Sequence, residues 1–510
     1  MKKVFVFFMF TYLLTAYSSL TVASKKFSES VILAEITSLL LEKKYGIAVE
    51  RQYFLGGTQI AFNGLRSGEI DLYPEYTGTG LVVILAQNYY PHLKEQVLSL
   101  VQQGFKEQFQ IHWSAPFGFN NTYALAKRKD DQRLKGVNKI SDLQKIKNFD
   151  EYLIAGAYEF MQRADGMSAF LQHYGLQVTE DHQIAMDAGL MYGALKGSEV
   201  DLVVAYSTDG RIAKYDLVLL EDDLSFFPPY HAALLAREET LQNYPQLQEL
   251  FELTGNLLDT ETMTKLNQLV DQQKYDFKVV AENFLVEKGL IDGELKDYDQ
   301  SIDWWEQRYY LWGLTQQHLN LCLWTLLFSL LFSLPLAILM TRFSFLAKIV
   351  FPVVNTLQTV PSLALLGIMV PLVGIGFLPA LIALFCYSLL PLIRNTYLGI
   401  KEIQPDYIEA SRALGLTSWQ ILLKVEIPLA LPIIIGGLRT SAVMVIGTAT
   451  LAALVGAGGF GDPIFRGVAT VNNQLILMGA IPSALLAILA DRLFSLLELR
   501  AVSKGLRIKQ

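Results

Sequence analysis

The sequence predicts a two-part protein in which two similar α/β lobes are followed by an all-α membrane domain. Three observations lead to this prediction. Charged and apolar residues mix at soluble density from about residue 24 to 308, whereas long apolar runs dominate from about residue 319. One stretch of the first part occurs twice with similar sequence, and the apolar runs of the second part are long enough to cross a bilayer. A length of 510 residues is ample for several domains.

The doubled stretch reads GLRSGEIDLYPEYTGTG at residues 64–80 and ALKGSEVDLVVAYSTDG at residues 194–210. The copies align when Asp71 is placed on Asp201, 130 positions later, and they share Leu, Glu, Asp, Leu, Tyr and Gly. A second match, between YGI and YGL near residues 45 and 174, lies close by at almost the same offset. A helix, a strand and a turn therefore recur in the same order, which indicates two related lobes.

Strands are predicted at LTVA, DLY, YALA, LIAGA and DLVVAYS, with helical stretches between them, which favours largely parallel sheets. Ligands of such lobes bind at the carboxyl ends of the strands. We therefore expect Tyr76 and Tyr206 to face each other at the mouth of a cleft between the lobes. Two packing tyrosines are the alternative, but their equivalent places, each followed by hydroxyl residues, favour a binding role.

The N-terminus has the pattern of a secretory signal peptide over residues 1–18. Lys2 and Lys3 precede an apolar stretch from residue 4 to 17, and the small residues that end at Ser18 suit cleavage there. Cleavage after Ala23 would cut into the first predicted strand, and an uncleaved membrane anchor is the remaining alternative. In each case the soluble part is exported.

Composition excludes several classes of function. The net charge of −7 argues against a nucleic-acid-binding protein. Both cysteines, Cys322 and Cys386, fall in apolar runs, so a disulfide framework is excluded. The six histidines are scattered without metal-ligand spacing, so neither a metal nor another cofactor is predicted. No nucleophile-plus-base motif supports an enzyme.

The second part contains five runs near the length of about 20 apolar residues that a spanning helix needs. Prolines interrupt several of them, which neighbouring helices in a bundle can tolerate. The predicted spans are residues 319–341, 346–371, 376–393, 429–455 and 475–496.

Basic residues fix the orientation of these spans. They concentrate after the first span, in the loop between the third and fourth spans, and in the C-terminal tail, whereas the two opposite loops hold only Arg466. Basic loops stay in the cytoplasm, so the soluble part lies outside and the C-terminus inside. The residues counted are Arg342, Lys348, Arg394, Lys401, Arg412, Lys424, Arg500, Lys504, Arg507 and Lys509.

The long inner loop contains EASRALGLTSWQILLKVEIP, residues 409–428. It predicts a short helix from Tyr407, a break at Gly415, and a second helix with apolar positions at Trp419, Leu422, Leu423 and Val425. Two readings stay open from the residues alone: a docking surface for a cytoplasmic partner, or an amphipathic helix on the bilayer surface.

This loop resembles the EAA motif of binding-protein-dependent ABC importer permeases, with Ser411 where a second alanine is most common. QTVPSLALLGIMVPLVGIG, LLPLIRNTYLGI and LVGAGGFGDPI are similar to osmoprotectant importer permeases. The resemblance implies that Glu409, Ala410 and Gly415 couple the permease to an ABC ATPase. The sequence holds no G-x-x-x-x-G-K-[ST] motif, so ATP hydrolysis is expected on a separate subunit and the chain is expected not to be an enzyme.

The exported part resembles the substrate-binding proteins of the same importers, with a type II periplasmic-binding-protein fold. The resemblance rests on SKKFSESVILAEI, LGGTQIAFNGLRSGEIDLYPEYTGTG, GFNNTYALA, EFMQRADG, AYSTDG and FFPPY. It implies a tyrosine cage that attracts a quaternary ammonium through the faces of the rings. By position in the motifs, the cage residues are Tyr76, Tyr123, Tyr206 and Tyr230.

Lys25, Thr79 and Arg163 stand where relatives bind the carboxylate of the ligand, and a guanidinium can grip a carboxylate in bidentate fashion. Glu159, four residues before Arg163, is expected to orient it along a helix, with a plain surface pair as the alternative. Asn121 stands where some relatives carry an aspartate. A neutral amide beside Arg163 favours a zwitterion such as glycine betaine, carnitine or ergothioneine over choline.

The sequence therefore predicts a binding domain fused to its own permease, which takes up quaternary-ammonium solutes. The predicted divisions are a signal peptide (1–18), a binding domain (19–292), a linker (293–318) and a permease (319–510). Lobe 1 is predicted at 19–128 and 225–292, and lobe 2 at 129–224. Two copies of the permease are expected to form the pore. A membrane-anchored sensor is the rival, but it would need fewer spans and a cytoplasmic signalling domain.

Overall fold

The computed structural model describes residues 19–163, 165–298 and 308–501. The chain divides into two compact units. The first comprises Met1–Ser301 with Arg466–Asn473, and the second Ile302–Phe465 with Gln474–Gln510. The predicted signal peptide, residues 299–307 of the predicted linker and the tail from residue 502 lie outside the described residues.

Two five-stranded sheets organise the first unit. Their strand orders are β2-β1-β3-β10-β4 and β7-β6-β8-β5-β9. In each sheet three neighbouring strands are parallel and the fourth is antiparallel to them, so the prediction of two α/β lobes with largely parallel sheets is confirmed. The strands are β1 Leu20–Lys25, β2 Val49–Leu55, β3 Leu72–Tyr76, β4 Ile111–Trp113, β5 Tyr123–Arg128, β6 Ile154–Ala157, β7 Gln183–Met186, β8 Leu202–Tyr206, β9 Leu217–Leu220 and β10 Ala232–Arg237.

Helices cover the sheets of this unit. The longest, Ser28–Lys43, is buried over nearly its whole length and packs against β1 and the helix Phe277–Glu287. Thr58–Ser67 ends on Gly68, whose left-handed φ of 88° favours glycine. The remaining α-helices are Thr77–Thr79, Val97–Phe109, Tyr158–Gln162, Met167–His173, Ala188–Lys196, Arg211–Lys214, Glu238–Asn243, Gln246–Leu253 and Thr260–Asp271.

The chain enters the second lobe earlier than the sequence indicates. β5, Tyr123–Arg128, pairs antiparallel with both β8 and β9 and therefore belongs to the second sheet. The predicted first lobe extended to residue 128, so that boundary is corrected to a point before Tyr123. A strand on its own does not reveal which sheet it joins, because its partners lie about 75 to 95 positions away in the chain.

Each copy of the doubled stretch contains an aspartate that anchors a strand. Asp71 accepts a hydrogen bond from the Thr21 backbone N–H at 2.9 Å, and Asp201 accepts one from the Leu153 backbone N–H at 3.0 Å. The aspartates therefore join the starts of β3 and β8 to the preceding part of each lobe. The aspartates therefore have a structural role in the repeat, whereas the tyrosines that end β3 and β8 are available to line the cleft.

An arginine at the end of each antiparallel strand completes this anchor. Arg237 ends β10 and Arg128 ends β5, and each donates to two backbone carbonyls of the doubled stretch. The acceptors occupy equivalent positions in the two copies: Leu65 and Ile70 for Arg237, and Leu195 and Val200 for Arg128. The two lobes therefore share equivalent arginine–carbonyl hydrogen bonds, although the arginines lie outside the two aligned stretches.

We expect Arg128→Ala to lower the free energy of unfolding of the first unit by about 2–4 kcal/mol, because two buried carbonyls lose their side-chain donor and Asp131 loses one of its donors. The measurement is thermal unfolding of the purified chain. Lys129→Ala is the matched control, since Lys129 forms an exposed pair with Asp216 that contributes little. Equal shifts for the two variants would contradict the anchoring role of Arg128.

The second unit is all-helical. Phe377–Lys401 is its most buried long helix and packs against Arg308–Arg342 and Ile427–Thr448. The other helices are Ser344–Thr359, Ser362–Val373, Pro405–Ala413, Ser418–Ile421 and Asn473–Ala501, and Gly461–Thr470 crosses the division between the units.

Among the described residues, four helices are long and apolar enough to cross a membrane, and a bent pair brings the number to five if it counts as one span. The bent pair covers the second predicted span, 346–371, and is interrupted at a proline, as the prolines within the predicted runs indicate. Ser344–Thr359 and Ser362–Val373 meet at 100°. Pro361 disfavours the helical conformation of the residue before it, Val360, whose backbone is extended. The Val360 carbonyl accepts a hydrogen bond from the Tyr387 hydroxyl.

The inner loop begins with the predicted short helix, Pro405–Ala413, and then turns at Gly415, whose φ is 79°. Thr417 caps the next helix. This second helix does not end within the loop. It continues from Ser418 into the following span, over 38 residues in all. Leu422 is consequently buried, whereas Trp419 and Leu423 are exposed.

Candidate functional site

A cavity between the two lobes brings together all the sequence-predicted ligand-binding residues. Tyr76 ends β3 and Tyr230 lies just before β10, both in the first sheet. Tyr123 begins β5 and Tyr206 ends β8, both in the second sheet. Each lobe therefore supplies two tyrosines. The predicted residues that line the cavity are Lys25, Tyr76, Thr79, Asn121, Tyr123, Glu159, Arg163, Tyr206 and Tyr230.

Phe27 joins the tyrosines of the two lobes, and sequence reasoning missed it. Its ring centroid lies 5.8 Å from that of Tyr76 and 6.1 Å from that of Tyr206, where the rings are stacked at 9°. Phe27 directly precedes the helix Ser28–Lys43 and has an extended backbone, which directs the chain from β1 past the cavity. The only signal was its place within the SKKFSES motif.

The remaining tyrosines extend this row of rings. Tyr123 lies 5.2 Å from Tyr206 and 5.2 Å from Tyr230, the latter edge to face at 88°. The backbone N–H of Tyr230 donates to Asn120 at 2.7 Å, which fixes the start of β10. Five aromatic rings thus form a continuous arc at the cavity. Such faces attract a bulky cation that has no hydrogen-bond donors.

The tyrosine hydroxyls stay neutral. Burial raises the pKa of Tyr123 to about 12 and raises the pKa values of Tyr76, Tyr206 and Tyr230 well above the ordinary value. The arc therefore contributes no formal charge of its own at neutral pH, so it can attract a cation only through the ring faces and through charges placed behind them.

The structure contradicts the helical pairing predicted for Glu159 and Arg163. The helix Tyr158–Gln162 ends before Arg163, which is extended, so the two residues are not one helical turn apart. Arg163 pairs instead with Asp165, through Nε at 2.7 Å and Nη2 at 2.5 Å. Glu159 still lines the cavity. The sequence does not show where so short a helix stops.

The guanidinium of Arg163 also supports the cage. Nη1 lies 3.4 Å from the Tyr123 hydroxyl, and Nη2 lies 3.1 Å from the Tyr230 hydroxyl. With Asp165, these contacts use four of the five N–H groups of the guanidinium. One N–H on Nη1 is left for a ligand in this arrangement, so a bidentate grip on a carboxylate would require Arg163 to release a present partner.

Lys25 and Thr79 lie on the first lobe. Lys25 Nζ is 2.5 Å from Glu75 Oε1, a pair that is almost fully buried, and 4.8 Å from the centroid of the Tyr76 ring. Thr79 lies in the single turn Thr77–Thr79 that directly follows β3, and its side chain reaches the cavity. The charge of Lys25 is therefore already balanced before any ligand arrives.

Asn121 lies where the chain crosses to the second lobe. Its Nδ2 donates to Glu29 Oε1 at 2.7 Å, whereas its buried Oδ1 has no hydrogen-bond partner among the residues that the structure describes. The amide of Asn121, which lines the cavity, is thus oriented by its donation to a buried carboxylate.

We expect Gly78→Ala to weaken ligand binding roughly tenfold or more, because the new Cβ would lie 2.7–2.9 Å from ring atoms of Tyr230. That ring cannot yield easily, since it is buried and bonded to Arg163. Titration calorimetry on the purified chain measures the effect. Gly193→Ala is the control, because its Cβ would meet nothing within 4 Å. Unchanged affinity in Gly78→Ala would show that Tyr230 does not contact the ligand.

The residues predicted to couple the permease to an ATPase lie on the inner loop. Glu409 and Ala410 are exposed on the helix Pro405–Ala413. A Cβ added at Gly415 would meet nothing within 4 Å. Glycine is therefore favoured here by the left-handed backbone of the turn and not by a close approach of another segment. Ser411, the departure from the motif, is buried and donates to the Tyr407 carbonyl at 2.6 Å. The hydroxyl of Ser411 therefore lies on the buried face of the helix, and the exposed face that carries Glu409 and Ala410 is unchanged by this departure from the motif.

Residues 18–287 match the family described as the substrate binding domain of ABC-type glycine betaine transport systems. The chain belongs to this family. Residues 331–503 match the inner membrane component of binding-protein-dependent transport systems. One chain therefore carries both the binding domain and the permease of an ABC importer, as predicted.

Relatives match each part separately. The carnitine transport permease protein OpuCB of Listeria monocytogenes is 45% identical over 38% of this chain and 88% of its own length. The carnitine transport binding protein OpuCC of Listeria monocytogenes serotype 1/2a is 36% identical over 52% of this chain and 86% of its own length. The ergothioneine transport permease/ergothioneine binding protein EgtU of Helicobacter pylori is 34% identical over 53% of this chain and 48% of its own length.

These matches establish the chain as a multi-pass inner-membrane transport subunit whose binding domain lies outside. The orientation predicted from the basic loops agrees with this placement. Membership of the permease family also implies an ATPase partner and a small-molecule ligand.

Proposed function

We propose that the chain captures a betaine-like zwitterion, such as glycine betaine or carnitine, and passes it through its own permease. The observation that carries this proposal is the arc of five neutral aromatic rings at the cavity between the lobes. A trimethylammonium group cannot donate hydrogen bonds, and ring faces are the protein groups that attract it best. Permease and binding-protein relatives that are named for the transport of carnitine, glycine betaine and choline support the same class.

The charges at the cavity support a zwitterion over a simple cation. Lys25 is paired with Glu75, and Arg163 with Asp165, so both bases are neutralised but still line the cavity. One N–H of Arg163 and the Thr79 hydroxyl can bind a ligand carboxylate without bringing a further charge.

Transport follows from the arrangement of the lobes in the proposed mechanism. The ligand draws the two pairs of tyrosines together and closes the lobes over it. The closed domain delivers the ligand to a pore built by two permease copies, because the described residues of one copy supply four or five spans. ATP is bound and hydrolysed by a separate cytoplasmic ATPase, which contacts Glu409, Ala410 and the turn at Gly415.

Titration of the full chain in lipid nanodiscs tests the substrate class. Glycine betaine, carnitine, choline and ergothioneine are the ligands, with a sugar and proline as controls. We expect micromolar binding of glycine betaine or carnitine, weaker binding of choline, and none of the controls. Binding of the controls without any quaternary ammonium would overturn the proposal, and strongest binding of ergothioneine would reassign the substrate to that betaine-like thione.

A further inference from the structure

A buried carboxylate lies directly behind the aromatic arc. Glu29 is the second residue of the helix Ser28–Lys43 and follows Phe27 by two positions. It is only 3% exposed. Glu29 is not among the residues that line the cavity, yet two residues that do line it, Tyr76 and Asn121, are bonded to its carboxylate.

All the hydrogen-bond partners of Glu29 are neutral donors. Two oxygens accept four bonds, which fills the lone-pair sites of a carboxylate. The donors come from four separate segments: the Tyr76 hydroxyl at 2.7 Å, Asn121 Nδ2 at 2.7 Å, the Thr208 hydroxyl at 2.5 Å and Asn267 Nδ2 at 3.0 Å.

Glu29 differs in this respect from three carboxylates near the cavity: Glu75 is paired with Lys25, Asp165 with Arg163 and Asp209 with Arg211. Glu159 and Asp187 line the cavity and are only partly buried, and they too have no salt-bridge partner among the described residues. Among the described residues, no Lys, Arg or His lies within salt-bridge distance of Glu29. Buried charges are normally paired, so an unpaired carboxylate behind a cage for cations calls for a positive charge from outside the protein.

Several features favour the ionised form of Glu29. The amide groups of Asn121 and Asn267 present N–H donors, which require an acceptor. Glu29 also lies in the first turn of its helix, where the helix dipole favours a negative charge. Burial raises the pKa of the Glu29 carboxyl, and the four hydrogen bonds oppose that rise.

The charge of Glu29 can influence the ligand through two residues, Tyr76 and Asn121, that donate hydrogen bonds to it. The Tyr76 hydroxyl donates to Glu29, and a phenol that donates to an anion gains electron density on its ring, which strengthens cation attraction. Asn121, which also lines the cavity, donates to the same carboxylate oxygen. Both contacts link the carboxylate to residues of the cavity, where a negative charge favours a positive headgroup.

We propose that Glu29 is a specificity-determining residue that gives the cage its preference for a cationic headgroup over an uncharged headgroup of the same shape. This inference rests on the proposed function, namely the binding of a quaternary ammonium. It assigns Glu29 a positioning and electrostatic role through Tyr76 and Asn121, without contact between Glu29 and the ligand.

The test compares glycine betaine with 3,3-dimethylbutyrate, in which carbon replaces the quaternary nitrogen and the shape is kept. The ratio of their dissociation constants, measured by calorimetry on the full chain in nanodiscs, defines the charge preference. We expect Glu29→Gln, which keeps the size of the side chain, to reduce this ratio about tenfold or more. The affinity for 3,3-dimethylbutyrate should change less than about threefold, because the shape of the cage is retained.

Glu35→Gln is the matched control. Glu35 lies on the same helix, is equally buried, and also accepts a hydrogen bond from a tyrosine, Tyr53, but it is paired with Arg51 and does not line the cavity. Its substitution should leave the charge preference unchanged even if it lowers thermal stability. A loss of the ratio in both variants would show a general structural effect and would overturn the inference.

The remaining outcomes separate the inference from the proposed function. Equal weakening of both ligands in Glu29→Gln, or a wild-type chain that binds them equally, would overturn the role of Glu29 while the site stands. A wild-type chain that binds no quaternary ammonium would overturn the proposed function itself. If Glu29→Gln does not fold, Tyr76→Phe breaks the link to Glu29 and keeps the ring, and an unchanged ratio there would also overturn the inference.

Discussion

Arg163→Met is expected to lower the affinity for the solute about a hundredfold or more. Three losses combine. The ligand carboxylate loses the free N–H of Nη1, the Tyr123 and Tyr230 hydroxyls lose their donor, and Asp165 is left without its pair. Because the tyrosines are held by Arg163 as well as by packing, binding of both ends of the ligand should suffer. Titration calorimetry with glycine betaine measures the effect.

Two further variants distinguish these losses. Arg163→Met combined with Asp165→Asn removes the unpaired carboxylate and should recover part of the thermal stability but little of the affinity. Arg133→Met is the control, since Arg133 is half exposed and pairs with Asp131 and Asp201 away from the cavity. An affinity restored fully in the double variant would mean that Arg163 serves only to neutralise Asp165.

Glu409→Lys is expected to reduce solute uptake to near background while solute binding stays within about twofold of the wild type. Glu409 is exposed on a helix that projects from the inner loop, so reversal of its charge should disturb a partner surface and not the fold. Uptake is measured in cells that produce the chain together with its ATPase, and binding is measured on the purified chain.

Glu402→Lys provides the matched control for this prediction. Glu402 is also an exposed acid of the inner loop, but it precedes the helix Pro405–Ala413. It should retain most of the uptake. Normal uptake in Glu409→Lys, or equal losses in the two variants, would argue that the helix lies on the bilayer surface instead of against an ATPase.

The sequence predicted the parts of the site that depend on local order. Tyr76 and Tyr206 follow from the doubled stretch, because a residue that ends a parallel strand lies at the ligand edge of its sheet. Tyr123 and Tyr230 followed from the family resemblance, and their place at the same cavity depends on β5 and β10, the two reversed strands.

The features that the sequence did not reveal depend on contacts between distant segments. Glu29 meets Thr208 and Asn267, each more than 170 positions away. The pairing of Arg163 with Asp165 depends on where a five-residue helix ends, which propensities do not decide. The 100° bend in the second predicted span was signalled by Pro361, but other prolines of the membrane domain lie within continuous helices, so the residue type alone was ambiguous.

The division of the tyrosines between the lobes has a consequence for release. When the lobes separate, each keeps two of the four tyrosines, and neither half is a cage. If each lost ring costs about 1 kcal/mol, opening weakens the hold on the ammonium by about 2 kcal/mol, or roughly thirtyfold. The domain therefore needs no competing ligand to release the solute, because separation of the lobes by itself weakens the proposed site.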